Sequence, residues 1–206
     1  MRTYIYIDGF NFYYLAVKNT NYKWLDFKSL FVKLLAPYHE INAIKYYTAT
    51  VSGINDPQQP IRQQSYLNAL QAYIPEFSVY YGSFLNSVKW MPLLTPINNT
   101  RFVQVTKTEE KGSDVNLAVH LVNDAWKNLY DCAIIVSNDS DLYEAIRIVK
   151  EELNKKIGLI ILPNGNPSIK LLSCTNFKKA IRNNLLQNSQ LPDPIPNTNI
   201  YKPISW

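Results

Sequence analysis

The sequence has few of the residues on which several common kinds of functional site depend. Its 206 residues include six glycines, two cysteines and two histidines. No GxxxxGKS/T or GxGxxG motif is present, so an ATPase or a dinucleotide-binding enzyme would lack its usual phosphate loop. Cys132 and Cys174 belong neither to a disulfide framework nor to a CxxC metal motif.

Long apolar runs and charged residues are also scarce. No run of about 18 apolar residues occurs, so neither a membrane-spanning helix nor a membrane partner is predicted. Asp8 stands too close to the N-terminus for the apolar core of a secretory signal, which predicts a cytoplasmic protein. With 47% apolar and 18% charged residues, a disordered, collagen-like or coiled-coil protein is excluded.

The length suits one domain of ordinary size. A chain this long buries roughly 70% of its unfolded surface and needs neither disulfides nor a metal to fold. The last 17 residues contain four prolines, which indicates an extended segment. We therefore predict one domain over residues 1–190 and a Pro-rich C-terminal tail over residues 191–206.

The basic residues are unevenly distributed along the chain. Residues 1–146 contain 12 basic and 13 acidic side chains, whereas residues 147–182 contain eight basic and two acidic ones. A basic flank beside an acidic centre suits an enzyme that attracts a polyanion such as a nucleic acid. A solvated surface on C-terminal helices explains the same distribution. Charge alone therefore leaves both interpretations open.

Short β-branched and aromatic runs alternate with helical periods, which predicts an α/β fold with a mainly parallel sheet. The predicted strands are Thr3–Ile7, Ile41–Thr50, Phe77–Tyr81, Cys132–Val136 and Ile157–Leu162. The predicted helices are Phe10–Lys18, Trp24–Leu35, Pro57–Tyr73, Gly112–Trp126, Leu142–Leu153 and a final helix over Asn176–Asn188. The first and fourth strands are apolar enough to be buried on both faces, so we expect them to be central neighbours.

The segment Ser83–Thr108 does not follow this alternation. It contains turn signals at Pro92, Pro96 and Asn98-Asn99, followed by a β-rich stretch. We therefore predict a hairpin insertion at this point of the fold.

Four aspartates stand at strand ends or helix starts. Asp8 ends the first strand, Asp139 and Asp141 follow the buried strand in AIIVSNDSD, and Asp114 lies in the helix start KGSDVNLA. Caps and first-turn acids are also common at such positions. Because α/β sheets place their chemistry at the carboxyl ends of parallel strands, we expect the four to converge on one patch.

Converging carboxylates repel one another unless a cation neutralises them. Oxygen ligands without a nearby cysteine or histidine favour a hard ion, Mg²⁺ or Mn²⁺. Such an ion activates water and stabilises the leaving oxygen in phosphodiester hydrolysis. The four aspartates are therefore predicted to be both metal ligands and catalytic residues.

Six other side chains are predicted to assist at this site. Asn11, Ser137 and Asn138 are placed to orient a carboxylate or a phosphate. The basic residues near the aspartates in sequence, Lys107, Lys111 and Arg147, are predicted to contact substrate phosphates. Among the aromatic residues, we expect Tyr13, Tyr14, Trp90 and Tyr143 near the cleft.

Three ordered segments resemble the NYN family of PIN-like nucleases. They are IDGFNFYY at 7–14, EEKGSDVNLAVHLVNDA at 109–125 and VSNDSDLYEAIRIV at 136–149. The segment 167–192 is similar to the C-terminal helix and Ser-Gln-x-Pro ending of one bacterial branch, so the resemblance covers nearly the whole chain. The sequence departs from the family at Asn138, where many members have glycine, and at His120, where many have an acid.

The resemblance implies a three-layer α/β/α fold whose parallel strands follow the order 3-2-1-4-5. It also implies a metal-dependent endoribonuclease that acts on RNA, with Mg²⁺ or Mn²⁺ held by Asp8, Asp114, Asp139 and Asp141. A homodimer is left open.

Two other functions fit parts of the sequence. A haloacid-dehalogenase-like phosphatase needs a second acid two residues after the aspartate of the first strand, and Phe10 occupies that position. A non-catalytic RNA-binding or regulatory module would be favoured by the loss of a ligand aspartate, and none is missing. The predicted function is therefore the ribonuclease, with the RNA-binding module as its alternative.

Overall fold

The structure is a computed structural model that describes residues 1–54, 56–98, 100–204 and 206. Its strands are β1 (Arg2–Asp8), β2 (Glu40–Thr48), β3 (Phe77–Tyr81), β4 (Ser83–Ile97), β5 (Thr100–Lys111), β6 (Cys132–Val136), β7 (Lys156–Ile161) and β8 (Phe177–Ala180). A parallel sheet has the order β3-β2-β1-β6-β7-β8. A separate antiparallel sheet consists of β4 and β5.

Helices cover both faces of the parallel sheet. They are α1 (Gly9–Phe12), which continues as a π-helical turn over Tyr13–Val17, α2 (Phe27–Leu34), α3 (Gln58–Tyr73), α4 (Ser113–Trp126), α5 (Tyr143–Arg147), which continues as a π-helical turn over Ile148–Glu152, α6 (Ile169–Cys174) and α7 (Asn183–Gln187). Phe12, Phe27 and Leu67 pack on one face, whereas Leu117 and Ile146 pack on the other. The predicted three-layer α/β/α fold is confirmed. Among the described residues, every helix falls short of the length and apolar character that crossing a bilayer requires.

The central strand β1 contributes side chains to both halves of the core. Ile5 and Ile7 belong to one apolar cluster and Tyr6 to the other, and all three are fully buried. Its neighbours are β2 on one side and β6 on the other. The predicted central position of the first strand, beside Cys132–Val136, is therefore confirmed.

The order predicted for five parallel strands is confirmed, and the structure adds a sixth strand at the edge. Numbered within the parallel sheet, β6 and β7 are its fourth and fifth strands, and β8 pairs with β7. The predicted helix over Asn176–Asn188 is therefore wrong in its first half. Phe177 packs so closely over Gly158 that a Cβ there would lie 2.5 Å from its ring, and the open edge of β7 supplies the backbone partners. The local preference for helix is overridden by this pairing.

The predicted hairpin insertion is present as a long two-stranded ribbon made of β4 and β5. The ribbon starts where Ser83 pairs with Lys111, beside the parallel sheet. Trp90, Leu94 and Phe102 are exposed along it. Its strands pair with each other and extend the fold away from the three layers.

The turn of the ribbon lies later in the sequence than two of the three turn signals. Pro92 and Pro96 lie within β4. Asn98 has a left-handed φ of 49°, as expected at a tight turn. Asn99, the second half of the third signal, lies outside the described residues.

The C-terminal tail packs against the domain. Leu191 and Ile195 are buried in the same core cluster as Trp24. The indole Nε1 of Trp24 donates to the Pro192 carbonyl at 3.1 Å, and Trp206 packs edge-on against Trp24. Apolar side chains within the tail therefore anchor it, while the division of the chain at residue 190 stays a prediction.

Candidate functional site

Asp8 is the last residue of β1 and the N-cap of α1. Its Oδ1 accepts a hydrogen bond from the Asn11 backbone N–H at 3.0 Å. Its Oδ2 accepts from the Asn11 side-chain amide at 2.6 Å and from the Ser137 hydroxyl at 2.9 Å. Burial raises the pKa of Asp8, these hydrogen bonds oppose the rise, and the charge of nearby Asp139 adds to it. A cation at this position would favour the ionised carboxylate.

Asp139 reaches the same place from the neighbouring strand. Ile7 and Val136 are paired in the sheet, so Asp8 and Ser137 leave it side by side. The Ser137 hydroxyl, which donates to Asp8, accepts a hydrogen bond from the Asp139 backbone N–H at 3.1 Å. Ser137 therefore links the two aspartates through one buried hydroxyl.

Two asparagines join the loops that follow β1, β6 and β7. Asn11 Oδ1 accepts from the Asn138 backbone N–H at 3.3 Å, and Asn138 Nδ2 donates to the Asn166 carbonyl at 3.2 Å. Gly165 permits this approach, because a Cβ there would lie 2.2 Å from Asn138 Nδ2. We name the group Asp8, Asn11, Ser137, Asn138 and Asp139 the acidic edge.

Asp114 and Asp141 lie outside this group. Asp114 is in the first turn of α4, whose Asn116 donates to the Tyr81 carbonyl at the end of β3. Ser113 also lies beside Gly82, so α4 starts at the end of β3, and β2 separates that strand from β1. Asp141 is exposed, and its backbone N–H donates to Asp139 Oδ1 at 2.9 Å.

The predicted grouping of four carboxylates is therefore not found. Within the part of the chain that the structure describes, no three histidine, cysteine, aspartate or glutamate side chains lie close enough together to hold a metal ion. The structure brings Asp8 and Asp139 together, and the sequence correctly placed both at strand ends. The sequence did not show how far Asp114 lies from Asp8 along the edge of the sheet. A ligand role for Asp114 and Asp141 stays a prediction.

The predicted phosphate-binding residues already have acidic partners. Lys107 and Lys111 lie on the ribbon and both pair with Glu109, whose pKa they lower to about 2. Arg147 forms ion pairs with three glutamates of its own helical segment, at 2.6, 2.9 and 3.3 Å. Glu109 and Arg147 are partly exposed and each has three ion-pair partners, so a phosphate has to displace a carboxylate to bind these basic residues.

The two histidines lie at different ends of the parallel sheet. His120 contacts the Tyr47 hydroxyl through Nδ1 at 3.0 Å and packs on the Tyr80 ring, and burial lowers its pKa. His39 contacts the Thr3 hydroxyl at 2.9 Å, near the start of β1. Two histidines acting as a catalytic pair are therefore absent from the described acidic edge.

A pocket of about 310 Å³ adjoins the acidic edge, and the sequence indicated only part of it. Its wall includes Gly9, which directly follows Asp8, and the aromatic side chains Phe10, Tyr13, Tyr14, Tyr46, Tyr66 and Trp206. We name it the aromatic pocket. Tyr13 and Tyr14 were expected near the cleft, whereas Trp90 lies on the exposed ribbon and Tyr143 packs on the opposite face.

The other aromatic walls come from distant parts of the chain, from β2, α3 and the C-terminus. One local signal for them is Gly9, because a Cβ there would lie 2.6 Å from the Tyr46 ring. The glycine after Asp8 thus permits the close packing of β2 against α1 that forms the pocket wall.

A family model of the NYN domain matches residues 2–179. The chain belongs to the NYN domain family. NYN domains are generally nuclease-like.

The 6-hydroxy-3-succinoylpyridine 3-monooxygenase HspA of Pseudomonas putida is similar to this NYN-family chain. It is 32% identical over 100% of this chain and 75% of its own length. A solved structure of a protein of unknown function from Vibrio parahaemolyticus has a TM-score of 0.57 and 20% identity, and it covers 88% of this chain and 93% of its own. That structure supports the fold alone.

Proposed function

We propose that this chain is a metal-dependent endoribonuclease that hydrolyses RNA phosphodiester bonds at the acidic edge. The observation that carries the proposal is the linked pair Asp8 and Asp139, held at adjacent strand ends by Ser137 in a nuclease-like family. Neither aspartate has a cationic side-chain partner among the described residues. The pair therefore suits a cation that arrives from solution with a phosphate.

Mg²⁺ is usually bound by one or two carboxylates together with water and substrate phosphate. Asp8 and Asp139 fit that mode, whereas a closed cage of four carboxylates does not form. When bound, Mg²⁺ or Mn²⁺ would supply an activated water and would stabilise the leaving oxygen. We assign both residues as its ligands.

The neighbouring side chains would fix the geometry of this pair. Asn11 and Ser137 together donate three hydrogen bonds to Asp8, which hold its carboxylate in one orientation. Asn138 ties the loop after β6 to Asn11 and to the loop after β7. Lys107, Lys111 and Arg147 would meet flanking phosphates by exchanging their glutamate partners.

The attacking group is proposed to be water and not the RNA 2′-hydroxyl. The second route needs a pair of histidines, and His39 and His120 lie at different ends of the sheet. Hydrolysis by water leaves a 5′-phosphate and a 3′-hydroxyl. Products ending in a 2′,3′-cyclic phosphate would contradict the proposal.

The deciding experiment is cleavage of mixed single-stranded and structured RNA with Mg²⁺, with Mn²⁺ and with EDTA. Asp139→Asn is compared with Glu40→Gln, which neutralises an exposed carboxylate at the start of β2. We expect metal-dependent cleavage that Asp139→Asn abolishes and Glu40→Gln retains. Cleavage that persists in EDTA would overturn the proposal, and RNA binding without any cleavage would favour the non-catalytic module.

A second candidate function is oxygenation of a small aromatic compound. The aromatic pocket favours it, because about 310 Å³ accommodates one substituted ring and the relative HspA is named as a monooxygenase of a substituted pyridine. A monooxygenase consumes O₂ and two electrons from a reductant, yet the sequence lacks the glycine motif of Rossmann dinucleotide sites. Consumption of O₂ and NADH that depends on 6-hydroxy-3-succinoylpyridine, with no RNA cleavage, would establish it.

A further inference from the structure

The aromatic pocket begins where the acidic edge ends. Gly9 and Phe10 line it and directly follow Asp8 in the chain. Tyr46, which also lines the pocket, donates a hydrogen bond to the Gly9 carbonyl at 3.4 Å, so the pocket wall begins one residue from Asp8. In a nucleotide the base and the phosphate are joined by one ribose, so the two sites are placed for two parts of one ligand.

A π-helical turn shapes the wall nearest the acidic edge. Tyr13–Val17 follow α1 in this conformation, which frequently occurs at functional sites. Tyr13 and Tyr14 both line the pocket, and their rings meet edge-to-face with centroids 5.4 Å apart. Tyr14 is more than half exposed. Such rings offer faces on which a planar ligand can stack.

Three polar groups in the lining have no hydrogen-bond partner among the described residues. The Nε1 of Trp206 is shielded from solvent and unpartnered. The Gln59 amide and the Tyr13 hydroxyl also line the pocket without a hydrogen bond to the described chain. An apolar ligand would leave these groups unsatisfied, whereas ring nitrogens and exocyclic groups would pair with them.

Other polar groups of the lining are already occupied. Gln63 donates to the Ala49 carbonyl at 3.0 Å and accepts from the Val51 N–H at 2.9 Å. The Tyr66 hydroxyl donates to the Leu25 carbonyl at 2.8 Å. They fix the walls of the pocket and leave recognition to the other three groups.

The charged residues of the lining suit an anionic ligand. Lys23 and Arg62 are basic, and Asp56, which pairs with Arg62, is acidic. The lining therefore carries a net positive charge. A positive lining attracts a nucleotide, which is an anion, toward the pocket.

We propose that the aromatic pocket binds the base of an RNA nucleotide whose phosphate lies at the acidic edge. This assignment rests on the proposed ribonuclease function. It specifies that the base next to the reacting phosphate is the part of the RNA that the protein recognises. Stacking on Tyr13 tolerates any base, and the groups on Gln59 and Trp206 discriminate between bases.

Binding without cleavage tests this inference. Calorimetric titrations of the full chain in Mg²⁺ use mononucleotides, which contain no phosphodiester bond to cleave. They compare 5′-AMP and 5′-CMP with ribose 5-phosphate, which lacks a base, and with pyridine-3-carboxylate, a free heteroaromatic acid. We expect one or both nucleotides to bind at least about tenfold more tightly than ribose 5-phosphate, as stacking of one base provides. Equal binding of ribose 5-phosphate, or tighter binding of the pyridine acid, would overturn the assignment.

Matched variants locate the binding. Tyr13→Leu should weaken nucleotide binding about tenfold, whereas Tyr38→Leu, which alters an exposed tyrosine before β2, should not change it. Gln59→Leu provides a second test at a half-exposed helical position and should change the ratio of AMP to CMP affinity. Thermal unfolding confirms that each variant is folded. Nucleotide binding that neither Tyr13→Leu nor Gln59→Leu alters would contradict the proposal.

The two proposals fail separately. Asp139→Asn should retain nucleotide binding while losing cleavage. If the protein binds nucleotides through Tyr13 but cleaves no RNA, the proposed ribonuclease function is wrong and the base pocket stands. If the protein cleaves RNA but Tyr13→Leu leaves nucleotide affinity unchanged, the base pocket is wrong and the ribonuclease function stands.

Discussion

Asp124 and Asp8 each accept several hydrogen bonds, and they differ in the source of positive charge. Asp124, on the buried side of α4, pairs with Lys45 at 2.5 Å and accepts from the Tyr6 hydroxyl at 2.7 Å. At the acidic edge, Asp8 accepts from Asn11 and Ser137, and its charged neighbour is the carboxylate Asp139. One aspartate is neutralised within the chain and the other is not.

This difference separates a structural ion pair from the site proposed to bind a cation. The Lys45–Asp124 pair is largely buried, with 12% and 6% of the two side chains exposed, and Tyr6 and nearby Tyr47 and His120 enclose it. A buried charge that has its counter-charge needs nothing further from solution. Asp8 and Asp139 increase each other's need for a cation, which is what a site for an external ion requires.

The largest expected effect is on cleavage. Asp139→Asn removes one of the two proposed ligands and should lower the rate of RNA cleavage by more than about 100-fold. Loss of a residue that only orients a metal ligand costs up to about 100-fold, and loss of a ligand should cost more. RNA binding should persist or tighten slightly, because one negative charge facing the phosphate is lost. Single-turnover cleavage and filter binding on the same RNA measure the two. Full cleavage activity in Asp139→Asn would contradict the proposed role of Asp139 as a metal ligand.

The next effect is on stability, at the other aspartate. Lys45→Met leaves Asp124 buried without its cation and should lower the free energy of unfolding by about 3–5 kcal/mol. Urea denaturation of this variant measures the loss, and Lys18→Met, at an exposed lysine, is the control. A change below about 1 kcal/mol would mean that the tyrosine and histidine neighbours already stabilise Asp124 without Lys45.

The third prediction concerns a cation from solution. At Asp8 we expect Mn²⁺ to take the part that Lys45 takes beside Asp124. Mn²⁺ at about 100 times its dissociation constant should stabilise the protein by about 2.7 kcal/mol through binding to the folded state. Asp8→Asn should lose most of this stabilisation, and Glu40→Gln should keep it. Thermal unfolding with Mn²⁺ and with EDTA provides the measurement. The same Mn²⁺ stabilisation in Asp8→Asn would place the ion elsewhere.

The smallest effect concerns Lys111, an exposed lysine at the base of the ribbon. Lys111→Ala should weaken RNA binding across sequences and reduce the slope of log affinity against log salt concentration by about one unit. Glu109 still has Lys107 and Lys89 as partners in this variant, so the ribbon should remain folded. An unchanged slope would assign Lys111 to the solvated surface.

The alternation of apolar runs was sufficient to predict a mainly parallel sheet, its five main strands and the central position of β1, whereas the three layers and the strand order came from the family resemblance. The alternation failed at Phe177–Ala180, where a lysine-containing segment is exposed and is held by the edge of β7 and not by its own periodicity. Local sequence does not encode an edge that is created by another strand. That is the physical reason for this error.

The candidate site was predictable to the extent that strand ends are predictable. Asp8, Ser137 and Asp139 follow buried strands, and the pairing of β1 with β6 brings them together. Asp114 shares the same edge but lies beyond β2, a separation that depends on strand order and on the course of the ribbon. The aromatic pocket was the least predictable part, because Tyr46, Tyr66 and Trp206 meet only in the folded chain.

The ribbon gives the fold a segment whose length can vary independently of the rest. Ser83 pairs with Lys111 at its base, where Gly82 lies against the Lys111 carbonyl, so β3 and α4 are connected through a fixed gap. Removing equal numbers of residues from β4 and β5 beyond that base leaves the gap unchanged. In evolutionary terms, the ribbon can lengthen, shorten or change its surface without moving Asp8 or Asp139, so selection can act on it separately from the chemistry.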